Sequence, residues 1–107
     1  VPETATAVVL NVTAVTPTVS TVVTVFPSGI TRPTASNLNV PAGDTRANQV
    51  TVALGAGRKV SVHNHSGSVH LLADLAGHYG PGAGAKFTAL APTRVLDTRV
   101  IAAARSQ

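Results

Sequence analysis

"TAVVLNVTAV", residues 6–15, decides the class of fold. Val8, Leu10, Val12 and Ala14 alternate with Val9, Asn11, Thr13 and Val15, so every second side chain is apolar. A period of two places those four on one face of a β-strand. Thr and Val recur together along the chain, which suits a pleated, half-buried surface, and helix-period patterns are almost absent.

"TPTVS" (16–20) then turns the chain and "TVVTVFPSG" (21–29) returns, so the first two strands are expected to form a hairpin. The Pro-, Asn- and Ser-rich segment 31–43 reads as connection with a short edge strand over 36–40. "NQVTVALGAG" (48–57) gives a strand ending at glycines, and "RKVSVHNH" and "SVHLLADLAGHY" give two more, joined at Ser66-Gly67. "GPGAGA" (80–85) is read as a flexible corner, and "KFTALAPTRVLDTRV" as two short strands broken at Pro92. The last residues, "VIAAARSQ", could form one helical turn.

About seven short strands, with turn signals every ~8 to 12 residues, predict an all-β chain folded as one β-sandwich, immunoglobulin-like or jelly-roll-like. The 107 residues suffice for a single domain, 1–107, whose segment 86–107 packs either on its own chain or on a neighbouring subunit.

Composition narrows the functions. With no Cys, neither a disulfide framework nor a thiolate metal site can form. Apolar residues make up 44% of the chain, yet Phe26, Phe87 and Tyr79 are its only aromatics, so the core must be built from small branched side chains. No apolar run approaches the ~18 residues of a membrane span. The net charge is +4, but the eight basic residues are scattered and lack the interleaved aromatics of a nucleic-acid surface. The chain starts at Val1-Pro2 and contains no Met, which suggests a processed product or an excised fragment, with any signal peptide already removed.

With the strands laid out, "AVVLNVTAVTPT", "SNLNV-AGDTRANQVTV", "ADLAGHY" and "PTRVLDTR" resemble an actinobacterial secreted repeat module. It is similar to units found in tandem, or appended to exported hydrolases and other cell-surface proteins. The resemblance covers nearly the whole chain. It implies an extracellular or cell-surface, all-β accessory module without a defined catalytic role or cofactor.

Two features depart from that family's pattern. An aromatic is common at the position of His63 and a small polar residue near His65, so a histidine site would be peculiar to this chain. The "PTRVLDTR" element typically precedes the "TAVVLNVTA" strand of its unit, whereas here Pro92, Arg94, Val95, Leu96, Asp97, Thr98, Arg99 and Val100 stand near the C-terminal end. That segment is therefore the candidate assembly element: donated to the next molecule, it would make a polymer, with other copies or neighbouring modules as partners.

All four histidines lie between residues 60 and 79. On a hairpin centred at Ser66-Gly67, His63 would oppose His70 with His65 on the same face, and Asp74 would oppose Lys59. Two or three imidazoles so placed could hold Zn²⁺, Ni²⁺ or Cu²⁺, making His63, His65 and His70 candidate metal ligands. The plainer reading is a wet hairpin face.

Enzyme chemistry finds little footing. No "GxSxG" elbow occurs, and only Glu3, Asp44, Asp74 and Asp97 carry carboxylates. The repeated tripeptide Asp-Thr-Arg, at 44–46 and 97–99, could present an Arg fork to a ligand, or could be an Asx-type turn with Arg over a sheet edge. Asn37, Asn39 and Asn48 are unusual near strands. With Asp44, Arg46 and Tyr79 they form the candidate surface for a carbohydrate or cell-wall glycan, unless their amides only tie down the long connection. No Trp is available for sugar stacking. Asn11 and Asn64 each begin a glycosylation sequon, a match frequent by chance.

Overall fold

A computed structural model describes residues 3–80 and 86–99. The chain is all-β, a sandwich of two antiparallel sheets. In order, the strands are β1 (Ala7–Val15), β2 (Thr21–Pro27), β3 (Leu38–Val40), β4 (Thr45–Ala53), β5 (Val60–Asn64), β6 (His70–Tyr79) and β7 (Phe87–Asp97), with one short 3-10 turn at Ala56–Arg58. One sheet runs β4-β1-β6-β7 and the other β3-β2-β5.

The alternation in β1 does what its period requires. Val8, Leu10 and Val12 join Val25, Val50, Val52 and Ala73 in one core cluster. Ala14 joins Val23, Leu38, Val40 and Leu71 in a second. Half-buried Val62 and Leu96 pack against both. No aromatic belongs to either cluster, so β-branched and small side chains fill the space between the sheets.

Pairing departs from the sequence expectation. β1 and β2 do not form a hairpin: β1 pairs with β4 and β6, while β2 pairs with β3 and β5. The segments 16–20 and 65–69 are sheet-to-sheet crossings instead. They lie side by side, with Thr18 N–H donating to Ser68 O at 2.9 Å and Ser68 N–H to Thr18 Oγ1 at 3.0 Å. Gly67, at φ +61°, presses so closely on Thr18 and Val19 that a Cβ there would meet Thr18 Oγ1 at 2.6 Å.

The C-terminal strand is also corrected. Residues 87–97 form one strand antiparallel to β6, not two broken at Pro92. Between Leu75↔Thr93 and Gly77↔Ala89 the register slips, and Pro92 sits in this irregular stretch of an edge strand, where its missing N–H costs no ladder bond. The tail over 100–107, with Val100, and the corner at 81–85 lie outside the described residues.

Candidate functional site

The three-stranded sheet carries a third layer. Thr21, Val23 and Val25 of β2 face the core side, so Val22, Thr24 and Phe26 face outward. Thr24 and Phe26 are nevertheless buried. The connection between β2 and β3 folds back as a strap over this face. Thr24 Oγ1 donates to Ala35 O at 3.3 Å, and Val25 N–H donates to Asn37 Oδ1 at 2.6 Å. Asn48 Nδ2 then reaches from β4 to Asn37 O at 2.6 Å, so the strap's end is fixed from the other sheet.

The strap brings Arg32 to β5, where its Nη1 lies 2.6 Å from His63 Nε2. A guanidinium can only donate, so Nε2 accepts and the imidazole proton sits on Nδ1. The rings of His63 and His65 meet edge to face, with centroids 6.4 Å apart.

Two hollows adjoin there. One, of about 270 Å³, is bounded by Thr24, Arg32, Pro33, Thr34 and His63. The other, of about 360 Å³, is bounded by Ser20, Asn39, Pro41 and Arg46. Val22 and His65 belong to both, and His65 N–H donates to Val22 O at 3.1 Å along the ridge between them.

The expected histidine hairpin does not form. His63 and His65 belong to the three-stranded side, whereas His70 opens β6 in the other sheet, with its Nδ1 3.1 Å from Thr98 Oγ1. Among the described residues no three His, Asp, Glu or Cys side chains converge as a metal centre would need. The crossing at Ser66-Gly67 is the reason: it changes sheet rather than reversing within one. It is held by Asn64 Nδ2, which donates to Ser66 O at 3.1 Å and Gly67 O at 3.0 Å.

The proposed glycan surface is likewise divided. Asn37 and Asn48 serve the strap, and Tyr79 lies on β6 against Phe87, ring centroids 5.2 Å apart. Asn39 and Arg46 do line one hollow. Asp44 stays with Arg46, whose Nε donates to Asp44 Oδ2 at 3.0 Å. The Thr45 N–H, then the Arg46 side chain, hold the Asp44 carboxyl below its ordinary value.

Asp-Thr-Arg is self-paired in both places, opening β4 at 44–46 and turning after β7 at 97–99. At 97–99, Arg99 N–H and Nε each donate to Asp97 Oδ1 at 3.0 Å, and Nη2 donates to Oδ2 at 3.0 Å. The Arg99 side chain is the main reason the Asp97 carboxyl drops to about 2. Arg94 adds to this network: it grips Asp74 through Nε and Nη2, the latter at 3.2 Å, and reaches Asp97 Oδ2 at 3.5 Å. The expected Asp74–Lys59 pair is thus replaced, because β6 lies beside β7 and not β5.

Sequence reasoning missed Arg32 as a site residue. The Thr-Arg-Pro run 31–33 reads as bare connection, and only the strap's return over β5 gives it a partner. Comparison with protein-family models, curated proteins and solved structures returned no match.

Proposed function

We propose that this chain is a non-catalytic, exported structural module that self-associates into a cell-surface assembly or filament by exchanging β7 between copies. One observation carries the reading: β7 is ladder-paired along β6 from Phe87 to Asp97, yet Leu96 is the only one of its side chains that packs against the core clusters. It is an edge strand, so its removal leaves the order β4-β1-β6 and the whole second sheet in place.

Exchange would keep every β6–β7 contact and change only which chain supplies it, which is why strand swapping is a low-cost route to assembly. The vacated β6 edge would accept the strand by main-chain hydrogen bonding, with Leu96 and the Asp74–Arg94 pair setting register. Donation from each copy to the next is head-to-tail and does not close, so a filament follows. The resemblance to an actinobacterial secreted repeat module supports an extracellular place. Three of the chain's four carboxylates are engaged by arginines, which supports a structural role over acid–base catalysis.

Cysteines introduced together as Asp74→Cys and Arg94→Cys, which face each other in the ladder, test this directly in a chain with none of its own. Oxidation at high concentration should give a ladder of covalent oligomers on a non-reducing gel, matched by particles in negative-stain images. A single covalent monomer at every concentration would sink the proposal.

A further inference from the structure

We infer that the two adjoining hollows, one over the outer face of the three-stranded sheet and the other around its β3 edge, are one binding groove for an acidic saccharide, a sugar chain bearing carboxylates. This goes beyond strand exchange, since the groove is built from β2, β3, β4, the strap and the end of β5, with nothing from β7.

Folding supplies what the sequence scatters. Arg32 lines one hollow and Arg46 the other, with His65 common to both and His63 beside Arg32, and no carboxylate lines either hollow. Asp44 engages Arg46, but among the described residues Arg32 makes no ion pair. Its one described contact is to an imidazole nitrogen, which leaves other donors of the planar fork for an anion. The chain's remaining aspartates, Asp74 and Asp97, are engaged by Arg94 and Arg99 on the other sheet, so they do not screen this face.

The lining also selects the kind of anion. Hydroxyls and amides from Ser20, Thr34 and Asn39 can bond sugar hydroxyls, while Pro33, Pro41 and Val22 offer small apolar surfaces to sugar C–H faces. No Phe, Tyr or Trp, the broad platforms on which bases stack, lines either hollow, which disfavours a nucleic acid. Volumes of about 270 and 360 Å³ lie at the small end of ligand sites, and two in series across a shared ridge suit successive units of a chain.

Calorimetric titration of the full chain with an oligogalacturonate tests the inference, with the methyl-esterified oligomer and inorganic polyphosphate as comparison ligands. Saturable binding of the acid form, weakened about tenfold or more by Arg32→Gln and by Arg46→Gln, is expected. Lys86→Gln, beside β7, should leave it unchanged. Both arginines are exposed, and circular dichroism would verify that each variant remains folded. No saturable binding, equal affinity for the uncharged ester, or an equal loss in Lys86→Gln would overturn the groove. Polyphosphate binding as tightly with the same Arg32 dependence would overturn the saccharide assignment. None of these outcomes bears on strand exchange, which the cysteine gel reads separately.

Discussion

Arg94 stands directly opposite Asp74 on the β6–β7 ladder, and its guanidinium spans from that carboxylate to Asp97. Arg99 closes the group from the other side of Asp97. The last strand is therefore fastened by charge on its outer face and by one leucine on its inner face.

Acid should loosen that fastening selectively. Arg94 holds the Asp74 carboxyl below its ordinary value, and Arg99 holds Asp97 at about 2 against an ordinary 3.8. Groups with depressed folded values contribute stability that is fully present above the unfolded value and disappears as pH falls through the folded one. Amide protection factors, taken against the intrinsic rate at each pH, should therefore fall along β7 between about pH 4 and pH 2 while those of β1 hold. Asp97→Asn should flatten that acid dependence.

Leu96→Ala removes the inner attachment. Because Leu96 is only half-buried, the cost should fall near the low end for leucine truncation, about 2 kcal/mol. Urea denaturation measures it. If β7 is the exchanging element, the same variant should shift the monomer–oligomer balance on a sizing column; an unchanged elution profile would count against exchange.

Gly55 sits where the strap departs. Ala56 N–H donates to Ser28 O at 2.7 Å, Gly55 N–H to Lys59 O at 2.9 Å, and Ser28 N–H to Lys59 O at 3.1 Å. A Cβ on Gly55 would run into the backbone N and O of Ser28 and lie 2.7 Å from Pro27 C. Backbone cannot step aside as a flexible side chain can, so Gly55→Ala should destabilise by about 3 kcal/mol, the upper end for overpacking. A melting temperature within a degree or two of the parent would contradict this account of the turn.

Asn37→Ala should unfasten the strap without touching the core. It leaves the Val25 N–H without its acceptor, a loss of about 1–3 kcal/mol. The wider consequence is local: proteolysis should begin within residues 28–37, ahead of the rest of the molecule. Cleavage sites scattered over the sheets would argue that Asn37 supports the whole sandwich instead.

The strands were legible because alternation reports which face a side chain occupies. Val8, Leu10, Val12 and Ala14 went where their period placed them, and Leu38–Val40 is the short edge strand expected in the Pro- and Asn-rich connection. Alternation does not say which strand lies alongside. "TPTVS" and "HSGS" carry turn residues equally suited to reversing within a sheet or crossing to the other, and both cross. Every partner assignment that depended on them moved: His70 away from His63, and Asp74 from Lys59 to Arg94. The Asx-type turn expected at both Asp-Thr-Arg runs forms at 97–99, where the contacts span two residues and need no partner strand, but not at 44–46, where Thr45 and Arg46 already belong to β4.

Changing sheets so often has a consequence during synthesis. β1 is made first, but its neighbours β4 and β6 come much later, and β6 ends at Tyr79. At ordinary elongation rates β4, complete at Ala53, follows β1 by on the order of 2–8 s, during which a valine-rich segment has no strand to lie against, and β6 follows later still. A topology of such distant partners folds slowly once complete. The nascent chain is thus a client for whatever shields apolar segments, well before any groove or exchangeable strand exists.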